Sequence, residues 1–208
     1  MLKAGFLILA ALVLAIPGVA QTNAPANALN IPVDIGIVAK WQSDIDASRL
    51  KVGDTVQAQT IRDVKRGHDT LLKKGSTLTG AVAKIQLHSG TTPSQIGIVF
   101  DQVSPAGGPP ATLNVTIQAI APPPGVSTDS LQDGRGMAQT NINSAVGGNK
   151  DLGNGGELMA TSVGVYNMQG VTLGSAASNG KQYSFIQSAT GEVKLKKGAQ
   201  VVFKAAEQ

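Results

Sequence analysis

Between Ile31 and Ala121 the chain is a succession of short runs rich in Val, Ile, Thr and Leu, each cut off by Gly, Asp or Pro. That punctuation constrains the fold more than any other feature. Runs of this length and composition bury one face as strands, and they are too short and too β-branched to form packed helices. Ile31 to Ala39 is the first run, and Thr55 to Val64 alternates with Val56 and Ala58 on one side. Ser76 to Leu87 is long, and Gly80 within it marks a bulge or bend. Gln95 to Val103 is the most apolar, and Ala111 to Ile120 places Leu113, Val115, Ile117 and Ala119 on one face. A single turn or short helix fits Ser43–Leu50. The expected fold is all-β, a small barrel or sandwich of about 8 strands.

Pro122-Pro123-Pro124-Gly125 closes this block, because three consecutive residues without an N–H cannot continue a central strand. The composition then changes. Residues 125–160 hold 8 glycines and no aromatic residue, with apolar side chains in no sustained period. Such a stretch buries too little surface to offset its ordering entropy, so 122–161 reads as a long Pro/Gly-rich disordered insertion, with a helical piece near Leu158–Thr161. The β-pattern returns over 162–205. Val163–Tyr166 and Val171–Leu173 are short, Gln182–Ser188 is a clear strand, and Glu192–Lys204 reads as a hairpin-like pair turning at Lys197-Gly198.

At the other end, residues 1–20 have the layout of a secretory signal peptide. Lys3 is followed by an apolar run of 11 residues, Phe6–Ile16, then Pro17 and the small residues Gly18-Val19-Ala20. The run is too short to span a bilayer, and no later segment is apolar enough. Cleavage after Ala20 leaves a polar leader at 21–30 and a β-domain in two parts, 31–121 and 162–205. The expected location is exported: periplasm, cell envelope or outside.

Composition excludes several classes. The chain has no cysteine, which removes disulfide scaffolds, thiolate metal sites and cysteine nucleophiles. Net charge is +4 with scattered lysines, which does not make the aromatic-interleaved basic patch of a nucleic-acid binder. His68 and His88 stand 20 residues apart in turns, without the spacing of a zinc site. Asp44, Asp46 and Asp54 lack a calcium-loop pattern and read as turn residues. The first glutamate is Glu157, which leaves the β-block without the Glu/Asp pairing typical of a glycosidase. No G-x-S-x-G elbow occurs, and the S-x-x-K matches at Ser48 and Ser178 lack their companion motifs. Gly153-Asn154-Gly155-Gly156 lacks the preceding strand a nucleotide loop needs. No cofactor or metal is expected, and the chain reads as a non-enzyme.

A short repeat links the two β-blocks. Leu72-Lys73-Lys74-Gly75-Ser76-Thr77-Leu78 matches Leu195-Lys196-Lys197-Gly198-Ala199-Gln200-Val201. In each, a leucine anchors, Lys-Lys-Gly turns, and an aliphatic residue returns to the core; glycine suits the positive φ of such a turn. If the repeat is structural, Lys73, Lys74, Lys194, Lys196 and Lys197 lie at one barrel end and form a weak site for phosphate or carboxylate groups of an envelope polymer; the competing reading, solvated turns, is the favoured one. Trp41 and Tyr183 are the aromatic residues expected nearest the surface. Trp41 has two readings, a sugar-stacking contact and a core residue, and the core reading is favoured because aromatics are only 3% of the chain.

Val52-Gly53-Asp54-Thr55-Val56, the first Lys-Lys-Gly turn running on to Thr79-Gly80, Ile98-Val99-Phe100-Asp101, and Lys197-Gly198-Ala199-Gln200-Val201 follow one another in a familiar order. Over about 33–121 and 182–205 this resembles the C-terminal β-barrel of TrbI-type proteins, the outer-membrane core component of conjugation and type IV secretion machines. It is similar also to exported barrel proteins of soil bacteria that carry the barrel with a Gly/Ser/Asn-rich insertion. The family's N-terminal transmembrane helix, its proline-rich arm and a pore-forming helical hairpin have no counterpart in the sequence. The resemblance implies a barrel and contact with other envelope proteins. The expected function is therefore a non-catalytic, exported structural or protein-interaction domain. The alternative is a secreted ligand-binding barrel for a polysaccharide or anionic envelope polymer.

Overall fold

The structure, a computed structural model, describes residues 27–124, 149–150, 156–178 and 181–206. The signal-peptide reading, most of the leader and most of the 122–161 insertion lie outside those residues. In chain order the strands are β1 (Asn27–Ala28), β2 (Gly36–Trp41), β3 (Ile45–Asp46), β4 (Thr55–Thr60), β5 (Val64–Arg66), β6 (Asp69–Leu72) and β7 (Thr77–Gln86). They continue as β8 (Ser94–Ser104), β9 (Ala111–Ala121), β10 (Asn149–Lys150), β11 (Gly164–Tyr166), β12 (Val171–Ser178), β13 (Lys181–Ser188), β14 (Lys194–Leu195) and β15 (Gln200–Ala205).

Six of these close into a barrel. Antiparallel pairings run β9–β15–β2–β4–β7–β8, and β8 pairs back to β9. Beyond the ring, β13 and then β12 extend from the free half of β8, while β11 lies parallel to β9. The last residues of the leader are tied in, since β1 pairs with Ala111–Thr112 of β9. The alternation read from the sequence sets the inward face. Val56, Ala58, Leu78, Ile98, Phe100, Leu113, Val115 and Ile117 all belong to one buried cluster.

The barrel is built from one pattern used twice. Gln200, Val201, Val202, Phe203 and Lys204 face Lys40, Ala39, Val38, Ile37 and Gly36 across β15–β2. Thr77, Leu78, Thr79, Gly80 and Ala81 face Gln59, Ala58, Gln57, Val56 and Thr55 in the same order across β7–β4. The next strands follow suit. β15–β9 breaks register between Val202 and Phe203, and β7–β8 between Thr79 and Gly80, the matching position. Between the halves, Ala39 lies opposite Thr60, Lys40 opposite Gln59 and Trp41 opposite Ala58. A pseudo-two-fold axis therefore passes between Lys40 and Gln59 and exchanges β2, β15 and β9 with β4, β7 and β8.

The expected hairpin over Glu192–Lys204 does not form. Lys194–Leu195 pairs with Asp46 and Ile45, whereas β15 lies between β2 and β9. The reason is the turn itself: Gly198, at φ 85°, gives its N–H to Trp41 O at 2.9 Å, so the chain hooks onto β2 and does not fold back on its own approach. Ser43–Leu50 forms no helix; it holds β3 and, directly after it, a turn in which the N–H groups of Arg49 and Leu50 both reach Asp46 O at 3.0 Å.

Candidate functional site

Each Lys-Lys-Gly turn is held by the same set of bonds. Gly75 N–H donates to Thr60 O and Gly198 N–H to Trp41 O, both at 2.9 Å. Thr60 N–H donates to Ser76 O at 2.8 Å and Trp41 N–H to Ala199 O at 2.9 Å. Three residues past each strand end stands an aspartate whose carboxylate accepts the amide of the second lysine: Asp63 from Lys74 at 2.8 Å, Asp44 from Lys197 at 2.7 Å. The repeat is thus a structural one.

The repeat does not gather its lysines. β2 and β4 are antiparallel and overlap only near their C-terminal ends, so the chain leaves Trp41 in one direction and Thr60 in the other. Lys73 and Lys74 stand at one end of the barrel, and Lys194, Lys196 and Lys197 at the opposite end. The single lysine-lined end expected from the sequence is corrected accordingly. All five side chains are exposed. At the second end an acid sits among them: Lys196 Nζ lies 3.8 Å from Asp44, and Lys194 is paired across the strands with Asp46.

Trp41 is a core residue, 1% exposed. Its ring centroid is 5.8 Å from Phe100 and 6.5 Å from Phe203, and those two are 4.7 Å apart in an edge-to-face contact. A ligand-stacking role for Trp41 is therefore ruled out by burial. Its Nε1–H is enclosed without a hydrogen-bond partner. Tyr183, the other aromatic residue expected near the surface, is half-buried on the outside of β13.

Asp54 and Asp46 are occupied with their own turns. Asp54 accepts Lys51 N–H at 2.8 Å, and Asp46 accepts both the amide and the hydroxyl of Ser48, at 3.0 and 2.6 Å. The Ser48 hydroxyl, ahead of the Ser48 amide and the charges of Lys194 and Arg49, holds the Asp46 carboxyl below the ordinary aspartate range, against a partial offset from burial. His68 is exposed in its turn, and the backbone N–H of His88 donates to Glu192 Oε1 at 3.1 Å. Among the described residues no three His, Asp or Glu side chains converge as metal ligands. A surface pocket of about 290 Å³ lies between the leader, Ala28–Val33, and Thr112–Asn114 with Ala205–Ala206. None of its lining side chains is titratable.

The feature that sequence reasoning missed is Gln200, a buried amide at the start of β15, 1% exposed. Its Oε1 accepts Leu158 N–H at 2.8 Å, and its Nε2 lies 3.2 Å from Gly156 O and 3.5 Å from Pro122 O. One side chain thus receives the chain where it leaves the barrel and where it comes back. The returning segment is locked down further. Leu158 is fully buried with Val38, Ala119, Ala121 and Val202, Glu157 pairs with Arg62, and Ala160 passes so close to Gly36 that a Cβ there would stand 1.9 Å from its carbonyl oxygen. The end of the expected disordered stretch, 156–161, is therefore packed against the barrel and non-helical. Burial of Leu158 and the Gln200 bonds supply the ordering that its composition alone does not. The only local sequence signal was a glutamine heading the apolar run Val201–Phe203.

No family model matches the chain, and no curated protein matches it.

Proposed function

We propose that this is a non-catalytic, exported envelope protein whose barrel is a scaffold for contact with other envelope proteins, with the segment between Pro122 and Gly156 as the contact element. The observation that carries this reading is the clasp at Gln200. The residues flanking this stretch, Pro122 and Gly156, meet at one buried amide, and the six-strand ring is closed without the residues between them. Closure of the six-strand ring and the packing of Trp41, Phe100 and Phe203 inside it also favour a scaffold over a container. The TrbI-type resemblance points the same way, since that family works as a core part of envelope machines.

The test begins with cell fractionation and a native gel of gently solubilised envelope. A large complex is the expected result, and it is expected to disappear when residues 126–148, which stop short of β10, are replaced by a short Gly-Ser linker. That variant is expected to keep the thermal midpoint of the parent, because the barrel pairings do not run through the replaced stretch. A monomer-sized soluble particle, or a complex unaffected by the replacement, would overturn the proposal.

A further inference from the structure

The outer face of the sheet extension carries a second surface, separate from the clasp. Along β13 the side chains of Ser184, Ile186 and Ser188 are buried, so Tyr183, Phe185 and Gln187 project from the opposite face. Two cross-strand rows follow from the register. Gly174, Phe185, Gly97 and Lys84 stand side by side across β12, β13, β8 and β7. Thr172, Gln187, Gln95 and Gln86 form the neighbouring row.

Glycine in both flanking strands makes room for the rings. The tip of the Phe185 ring fills the space a Gly174 Cβ would take, with Cζ 2.1 Å from that position. One edge of the Tyr183 ring lies 3.2–3.3 Å from where a Gly97 Cβ would stand. The result is two aromatic rings resting on a glycine floor, half-buried and still open to the outside, beside a line of amides. Glutamine amides both donate and accept hydrogen bonds. Aromatic faces attract the weakly positive C–H faces of a sugar ring through their quadrupole. Among the described residues the two rows carry one charge, Lys84, and no carboxylate.

We infer that this face binds a neutral, hydroxyl-rich polysaccharide, with Tyr183 and Phe185 stacking on sugar rings and the amides of Gln187 and Gln95 meeting their hydroxyls. Within the two rows a charged polymer would find a single lysine, Lys84. The rings stand two residues apart on one strand, about 7 Å, so a single polysaccharide chain touches both.

Affinity electrophoresis of the purified protein tests this in gels containing hydroxyethylcellulose, a soluble β-1,3-glucan or galactomannan, with alginate as the anionic comparison. Retardation by at least one neutral polymer is expected, unchanged by added salt. Tyr183→Ala and Gln187→Ala are each expected to weaken it about tenfold. Gln187→Ala separates binding from folding, because a half-exposed amide can be removed with the thermal midpoint held within about 2 °C of the parent. The inference is overturned if no neutral polymer retards the protein, if only alginate does, or if either variant binds as the parent does.

Discussion

Around Gly75 and around Gly198 the backbone makes the same bonds while the side chains beside it differ. Thr60, at the end of β4, donates its hydroxyl to Lys73 O at 2.9 Å and accepts Ser76 N–H at 2.9 Å. Its counterpart at the end of β2 is Trp41, whose ring goes into the core and whose Nε1–H has no partner. Gly80 in one half answers to Phe203 in the other, and Phe100 answers to Ile117. Where one half supplies a ring, the other supplies a small or aliphatic residue. The three aromatic rings of the interior are thus accommodated by asymmetry of volume within symmetry of backbone. Turn geometry and hydrogen bonds define the repeated unit, and the core only has to fill the space left between two copies of it.

The largest expected effect breaks that volume balance. Phe203→Ala removes a fully buried ring, and denaturant titration is expected to show a loss of about 3–5 kcal/mol. The opposite change at the matching position is also expected to cost stability. Gly80→Ala places a methyl 2.7 Å from Val99 O and from the Phe100 ring, and a loss of about 1–3 kcal/mol is predicted. If Gly80→Ala is neutral, the complementary packing of the halves is wrong.

Smaller changes sharpen the comparison at the turns. Asp44→Ala and Asp63→Ala each delete one acceptor from a lysine amide, and each is expected to cost about 1 kcal/mol. Their effects are predicted to agree closely, because the exposed Asp44–Lys196 contact adds little at a solvated site. A clear difference between them would mean that the two turns are not equivalent.

The smallest effect sits where the halves diverge. Asp46 occupies the place of Lys65, and only Asp46 gains a hydroxyl partner. Its carboxyl titrates lower in the folded protein than in the unfolded chain. The stabilisation is therefore present above the ordinary aspartate range and is lost as pH falls through the lowered value. Asp46→Asn is expected to lower the thermal midpoint slightly at pH 7, with the gap to the parent closing in strong acid. A gap that persists at low pH would assign the effect to something other than ionisation.

Strand positions, the bend at Gly80 and the two glycine turns were legible in the sequence because each has a local cause: alternation, a missing Cβ, a positive φ. Leu72–Leu78 and Leu195–Val201 showed the match, and the shared bonding of the two turns makes it a structural repeat. The rest depends on contacts across long stretches of chain. Nothing near Leu195 indicates that it pairs with Ile45, and the hairpin reading failed because local pattern favours the nearest strand. The lysine cluster failed for a related reason, since similar turns say nothing of the axis relating them. Gln200 was invisible as a clasp because its partners, Pro122, Gly156 and Leu158, come from two remote segments.

Amide hydrogen exchange, read residue by residue, tests the two-copy barrel most directly. Gly75 with Gly198, Thr60 with Trp41, and Ile61 with Gln42 form matched pairs of bonded amides. Each pair is predicted to exchange within about tenfold of one another, as bonds opened by the same cooperative event. Strong protection at one member with near-free exchange at the other, in two or more pairs, would contradict the account.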